Sequence, residues 1–271
     1  MTRTALITGC SSGIGRETAI AFGKRGWRVY ATARDADDVA DLADRGLETL
    51  ALDVTDDDAV ERATATVREE AGGVDCLVNN AGQAYVGPVE EFTAEEVRAQ
   101  FDVNLYGAQR TMRAVLPGMR ERGDGTIVNV SSVAGLVSLP GLGLYSGSKH
   151  AIEALTDALR AEVAGFGVDA VLVEPGPVGT NVLANKTDRG DEHDDCAYAD
   201  LHEMLDEATE LIWRNDVGPE AVARTIVAAA ESDDPDPRYQ VNGVAGGSWL
   251  RHLPDGVRDR VVTDLPRTLL D

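Results

Sequence analysis

The chain reads as an α/β protein in three layers, a parallel sheet covered by helices on both faces, and three observations predict this. Short apolar, strand-like runs recur at 4–8, 28–33, 48–52, 74–79, 125–131, 168–174 and 238–242. Helical patterns fill the gaps, at 13–25, 35–45, 57–71, 93–121, 145–164 and 217–231. The residues with the clearest chemical character (Gly9, Arg34, Asp53, Asn80, Ser132 and Pro175) each follow a predicted strand. Strands separated by helices need right-handed crossovers and so lie parallel, and ligands in such sheets bind beyond the carboxyl ends of the strands. No linker or internal repeat breaks the alternation, so residues 1–271 are expected to form one domain.

The first strand, Ala5-Leu6-Ile7, runs into Thr8-Gly9-Cys10-Ser11-Ser12-Gly13-Ile14-Gly15 and then an amphipathic stretch carrying Ile20, Ala21 and Phe22. Glycines let a backbone turn sharply and approach a ligand closely. The helix that begins near Gly13 offers unpaired N–H groups and the positive end of its dipole, which suits a pyrophosphate. An ordinary glycine-rich turn is the plain alternative. Further on, Tyr145 and Lys149 stand four residues apart and Ser132 lies thirteen residues before the tyrosine. Residues at i and i+4 share a helix face, and Ile152, Leu155, Leu159 and Val163 continue a helical stripe downstream. A phenol can give or take the proton of an alcohol, an ammonium one turn away lowers the phenol's pKa, and a hydroxyl can hold the substrate oxygen. Tyr-x-x-x-Lys alone is a common helix face; its weight comes from the company it keeps.

Thr8-Gly9-x-x-x-Gly13-Ile14-Gly15, Asn79-Asn80-Ala81-Gly82, Asn104, Ser132, Tyr145, Lys149 and Pro175-Gly176-x-Val178-x-Thr180 together resemble the short-chain dehydrogenase/reductase family, in family order over residues 4 to about 180. The wording around Gly9 and the run Val29 to Asp35 are similar to the branch that holds 17β-hydroxysteroid and retinol dehydrogenases. The resemblance implies a doubly wound Rossmann fold with a mostly seven-stranded parallel sheet, a substrate lid at about 181–216, and a C-terminal extension at about 248–271. It also implies the roles that follow.

Gly9, Gly13, Ile14 and Gly15 would cradle the dinucleotide phosphates, and Ser11 or Ser12 would add a hydroxyl where a 2′-phosphate binds. Arg34, nineteen residues past Gly15, would meet the adenosine ribose, where a guanidinium grips a 2′-phosphate. NADP(H) is therefore expected ahead of NAD(H), which stays open; the plain reading of Arg34 is a surface partner for Asp35. Asp53 and Val54 would lie by the adenine, with a turn-forming or capping aspartate as the alternative. Asn80, Ala81 and Gly82 would line the adenine and ribose side, whereas Asn79 reads as structural. Tyr145 would be the general acid in reduction and the base in oxidation, Lys149 would also hold the nicotinamide ribose, and Ser132 would hold the carbonyl oxygen. Asn104 would interrupt its helix and hold a water joining Lys149 to solvent. Pro175, Gly176, Val178 and Thr180 would fix the carboxamide. Taken singly, Asn104 reads as a polar helix residue and Ser132 as a strand-end hydroxyl.

The expected activity is interconversion of a carbonyl and an alcohol. The alternatives are an NAD-dependent alcohol or sugar dehydrogenase and, on the same fold, a non-catalytic dinucleotide sensor, which would not need Ser132, Tyr145, Lys149 and Asn104. Pocket walls are expected from Gln83 to Val86, Val133 to Leu142 and the lid. There Leu136, Leu139, Leu142 and Leu183 suggest an apolar substrate, although core packing explains the same leucines.

Composition narrows the setting. The 271 residues are 43% hydrophobic, enough for a sizeable core, and hold no run of about 18 or more apolar residues. Three cysteines, at 10, 76 and 196, and a start with no room for a signal peptide lead to the expectation of a cytoplasmic protein. Forty-seven acidic against 25 basic residues give a net charge of −22, with lysine only at 24, 149 and 186. Such self-repulsion is tolerable where molar salt screens it within about 3 Å, so a halophilic protein is expected, an acidic mesophile being the alternative. The same charge argues against nucleic acid or anionic membrane partners. His193, Cys196, His202 and the neighbouring aspartates show no familiar ligand spacing and read as a solvated loop rather than a metal site. A homodimer or homotetramer is expected from the resemblance.

Overall fold

The structure is a computed structural model that describes residues 2–178, 197–205, 217–242 and 252–261. Its centre is a seven-stranded, wholly parallel sheet: β1 (Thr4–Ile7), β2 (Arg28–Ala33), β3 (Glu48–Ala51), β4 (Cys76–Asn79), β5 (Gly125–Val130), β6 (Val168–Pro175) and β7 (Arg238–Val241). The strand order is β3-β2-β1-β4-β5-β6-β7, so the chain winds outward in one direction from β1 and in the other from β4. That reversal opens a crevice between the carboxyl ends of β1 and β4.

Among the described residues the helices that flank the sheet include α1 (Gly13–Lys24), the short α2 (Ala40–Ala43), α3 (Asp57–Ala71), α4 (Ala94–Phe101), α5 (Ala108–Arg122), α6 (Gly143–Val163) and α7 (Pro219–Glu231). Alternate strand residues serve opposite faces. Ala5, Ile7, Val29, Ala31, Val78, Val128 and Val130 pack with Phe22 of α1 and Val222 and Ile226 of α7. Leu6, Tyr30, Leu77 and Ile127 face the other way, onto Met112 and Val115 of α5 and Ile152 and Leu159 of α6. Both faces are dry, which is why these strands read as nearly continuous apolar runs. Among the described residues no helix is long and apolar enough to cross a membrane.

Local chemistry sets the helix ends. Asp56 accepts hydrogen bonds from the backbone N–H groups of Asp58 and Ala59 to start α3, and Gly72 ends it at φ 82°. Thr93 and Glu96 form a reciprocal capping box at the start of α4. The 93–121 helical stretch is three pieces: α4, a π-helical turn over Asp102–Gly107, and α5. A Cβ at Gly107 would lie 2.6 Å from Val54 Cγ2, so only glycine lets this turn settle against the loop after β3. The 35–45 stretch is a 3₁₀ turn followed by the four-residue α2, and α6 begins two residues earlier than expected.

A buried polar chain crosses the α5/α6 side of the sheet. Asn79 Nδ2 donates to Asn129 Oδ1 at 2.8 Å, Asn129 Nδ2 donates to Thr156 Oγ1 at 2.9 Å, and Thr111 Oγ1 donates to Asn79 Oδ1 at 2.6 Å. Asn79 is thus spent on the core. Asn129→Leu is expected to cost about 2 kcal/mol or more, because it strands the Asn79 amide and leaves Thr156 without its donor. Equilibrium chemical denaturation at fixed KCl measures it, and an unchanged stability would show that the chain contributes nothing.

Candidate active site

At the β1/β4 crevice the glycine turn is fastened to the sheet by side chains. Asn80 Nδ2 donates to the carbonyl oxygens of Thr8 and Gly9, both at 3.0 Å, while Thr8 Oγ1 accepts from the N–H groups of Asn80 and Ala81, also at 3.0 Å. Gly9 (φ 73°) and Gly13 (φ 57°) take conformations that L side chains rarely adopt. A Cβ at Gly15 would lie 2.2 Å from Gly9 O and 2.4 Å from Asn80 Nδ2, so helix α1 meets the turn at a distance only glycine allows. Ser12, the residue before α1, makes no side-chain cap, and Ser11 and Ser12 are exposed. The turn therefore joins two exposed hydroxyls to a helix N-terminus whose first N–H groups have no intrahelical partner, a set of groups that fits a pyrophosphate. Cys10 within it is inert: burial pushes its thiol up to about 12.

Arg34 follows β2 at the same edge. It is exposed and makes no hydrogen bond or ion pair among the described residues, and the Asp35 carboxylate instead accepts from Asp37 N at 3.0 Å. Asp53 is half-buried, and its Oδ1 accepts from Thr55 N at 2.9 Å and Thr55 Oγ1 at 2.7 Å. The turn-forming role of Asp53 is thus realised, and its second carboxylate oxygen carries no such bond. Val54 is buried in a small cluster with Leu52, Ala59 and Val60. On the far side Gly176 N donates to Val241 O at 2.8 Å, Asn242 Nδ2 donates to Pro177 O at 3.1 Å, and Val178 bridges Val217 in parallel fashion. Thr180, most of the 181–216 lid with Leu183, His193 and Cys196, and much of the 248–271 extension lie outside the described residues.

Three of the predicted chemical groups converge beyond β5 and on α6. Ser132 ends the segment after β5; its Oγ accepts from Ala134 N at 3.1 Å, donates to Pro175 O at 3.4 Å and faces the Tyr145 side chain. Tyr145 is buried with Ala84 and Ala134. Lys149, one turn further, is buried, places Nζ 5.7 Å from the Tyr145 ring centroid and donates to Val130 O at 2.9 Å. Asn104 sits in the π-helical turn, with Oδ1 accepting from Gln83 N at 2.9 Å and Nδ2 donating to Gln83 O at 2.9 Å and Ser148 Oγ at 3.0 Å. Its helix is interrupted, as expected, and its carboxamide is occupied in holding Gln83. Gly82 faces this group: a Cβ there would lie 3.5 Å from Asn104 Oδ1 and 3.9 Å from Lys149 Nζ.

Burial dominates at Tyr145 and pushes the phenol up to about 12, with Ser132 pulling the other way. The lowering expected from Lys149 and the charge of an oxidised nicotinamide together would have to work against that burial. Lys149 itself is lowered to about 8 by burial, opposed by the charge of Glu153. The phenol therefore keeps its proton at neutral pH, the state required to donate one.

Gln100 and Ser148 escaped the sequence reading. Gln100, wholly buried, accepts from Tyr85 N at 2.8 Å and donates to Gln83 O at 2.5 Å; with Asn104 it clasps segment 83–85 as a neighbouring strand would. Ser148 receives Asn104 and donates to Tyr145 O at 2.7 Å. The i, i+4 spacing of Gln100 and Asn104, and the place of Ser148 beside Lys149, were the available signals.

The model of the short chain dehydrogenase family matches residues 3–191. The chain belongs to that family. Among curated relatives of this short-chain dehydrogenase, the NADPH-dependent 3-dehydrocapnine reductase of Ornithobacterium rhinotracheale is 35% identical over 96% of this chain and 95% of its own. Human 17-beta-hydroxysteroid dehydrogenase type 1 is 36% identical over 88% and 77%. Among solved structures, a short-chain dehydrogenase from Streptomyces avermitilis superposes with a TM-score of 0.83 at 34% identity, covering 99% of this chain and 97% of its own. A family member from Burkholderia phymatum in complex with NAD gives 0.80 at 27% identity, with 93% of both chains covered.

Gly15→Ala is expected to weaken dinucleotide binding about tenfold or more and to lower the melting temperature, because the methyl group must displace Gly9 or Asn80. Fluorescence titration with NADPH and thermal denaturation read the two effects; wild-type values for both would show that α1 has room to shift.

Proposed function

We propose that this oxidoreductase reduces an apolar ketone or aldehyde to the alcohol, and runs the reverse reaction, using NADP(H) with Ser132, Tyr145, Lys149 and Asn104 as its working residues. The observation that carries the reading is the grouping of buried Tyr145 and Lys149, with Nζ 5.7 Å from the phenol ring, between Ser132 and the Asn104 carboxamide that Ser148 ties to Tyr145 O. The nicotinamide, when bound, supplies or accepts the hydride. The protein's part is to place and protonate the substrate oxygen. Ser132 Oγ donates to that oxygen and Tyr145 Oη delivers a proton to it as charge develops; in oxidation the phenolate takes the proton back. Lys149 adds positive charge beside the phenol and holds the ribose hydroxyls. Asn104, by fixing Gln83, keeps the facing wall in register with α6.

An exposed Arg34 with no acidic partner among the described residues supports a 2′-phosphate, and the relative named as NADPH-dependent agrees. The relative named for a hydroxysteroid supports an apolar substrate. A net charge of −22 supports activity in concentrated salt.

The direct test is NADPH oxidation over a panel of apolar ketones and aldehydes in molar KCl, with a low-salt control. Tyr145→Phe should lower turnover about a hundredfold or more while NADPH still binds; substantial retained turnover refutes the proton-donor role. Arg34→Ala should weaken NADPH about tenfold or more and leave NADH nearly unchanged. Equal losses for both cofactors would remove the phosphate assignment.

A further inference from the structure

Behind the catalytic helix lies a cluster of charged groups that the reaction does not use. Glu174 on β6 is wholly buried and Glu153 on α6, four residues past Lys149, is 6% exposed. Both lean on one guanidinium from β7. Arg238 Nη2 lies 3.3 Å from Glu153 Oε2 and 2.6 Å from Asp157 Oδ2, and its Nε lies 3.1 Å from Glu174 Oε1. That last contact is misdirected for a hydrogen bond, so Glu174 Oε1 and Glu153 Oε1 both lack a donor, while Gln240 Nε2 donates to Glu174 Oε2 at 3.0 Å. Ser131 Oγ faces Glu153 from the end of β5 without a well-formed hydrogen bond. Asp157 is also held by Arg160, at 2.8 Å.

Three carboxylates, two of them buried, therefore share one arginine. Burying two carboxylates that are only partly satisfied is costly, and a structural tie between β7 and α6 would need no more than one. The cluster also adjoins the site: a Cβ at Gly135 would touch Ser131 Oγ, Glu153 Cγ and Lys149 O together, at 2.7, 3.1 and 3.2 Å. Lys149, for its part, is buried with a neutral carbonyl as the hydrogen-bond partner of Nζ.

We propose that Glu153 is a positioning residue that holds Lys149 in its ammonium form, its own charge being set by Glu174 and Arg238. The proposal rests on the reading of Lys149 as part of the reductase site. The directions agree. Burial lowers Lys149 to about 8, and the negative charge of Glu153 opposes that fall. Burial raises Glu153 to about 7, Glu174 adds to the rise, and Ser131 and Arg238 oppose it. Below about 7 Glu153 is neutral and gives the ammonium no support; above it the carboxylate is charged and Lys149 keeps its proton to higher pH than it otherwise would. Because the two groups titrate next to one another, the ammonium has its counter-charge just where it is nearest to losing its proton.

Only three lysines occur in the chain, so Lys149 can be watched directly. Protein labelled with ¹³C at lysine Cε is titrated by NMR in molar KCl, the signals being assigned with Lys24→Arg and Lys186→Arg. In the wild-type protein the Lys149 signal should titrate near pH 8 and carry a smaller inflection near pH 7 as Glu153 ionises. Glu153→Gln should abolish the inflection and lower the Lys149 midpoint by about half a pH unit or more. Glu153→Asp, which keeps the charge, and Asp157→Asn, which alters the exposed end of the cluster, should leave the midpoint near its wild-type position. A Lys149 midpoint unmoved by Glu153→Gln overturns the proposal. So does an equal displacement in Glu153→Asp, or a wild-type curve without the inflection. The readout needs no substrate or turnover, so a failed coupling is told apart from a failed reductase assignment, which Tyr145→Phe kinetics decides.

Discussion

The fastening of the glycine turn to the end of β4 is the constraint on which the site depends. The Thr8 and Asn80 side chains make four hydrogen bonds of 3.0 Å across the crevice: Thr8 Oγ1 accepts from Asn80 N and Ala81 N, and Asn80 Nδ2 donates to Thr8 O and Gly9 O. They hold the carboxyl ends of β1 and β4 in fixed relation where the strand order reverses. Without that clasp the backbone N–H groups of the turn would have no fixed aim, since Gly9 and Gly13 impose no conformation of their own. The close approach of Gly15 to Gly9 extends the same constraint into α1. A flexible sequence is thereby held in one conformation by its neighbours.

The opposite wall is built on a similar principle. Gln100 and Asn104 use their carboxamides to supply the hydrogen bonds that a strand would supply to segment 83–85, and Ser148 ties Asn104 to the backbone of Tyr145. The π-helical turn is what lets a helix residue reach so far toward the sheet edge. Position is thus passed from the β4 loop through two amides to Tyr145.

Burial then decides the charges. Tyr145, Lys149 and Glu153 are all driven toward their neutral forms by desolvation, the phenol and the carboxyl upward and the ammonium downward. A neutral phenol suits proton donation, and a lysine lowered to about 8 sits close enough to neutrality for one nearby carboxylate to matter. The acidic surface, by contrast, is paired with arginine at many points. Arg28 with Glu48 and Glu70, and Arg110 with Asp57 and Asp102, are examples.

The sequence by itself determined the alternation of strands and helices, the single parallel sheet, the glycine turn and the order of the chemical residues. Each of these is written in local periods and spacings, so Tyr145 and Lys149 had to share a face once α6 formed. Tertiary structure alone decided that Arg34 stands clear of Asp35, that Asp53 is engaged by Thr55, and that Gln100 clasps the 83–85 wall. It also brought Glu153, Glu174 and Arg238 together from three separate elements, and it set the burial of Tyr145 against the expected lowering of its pKa. The physical reason is common to all of them: desolvation and charge proximity are summed over neighbours that arrive from distant parts of the chain, and no local pattern records that sum.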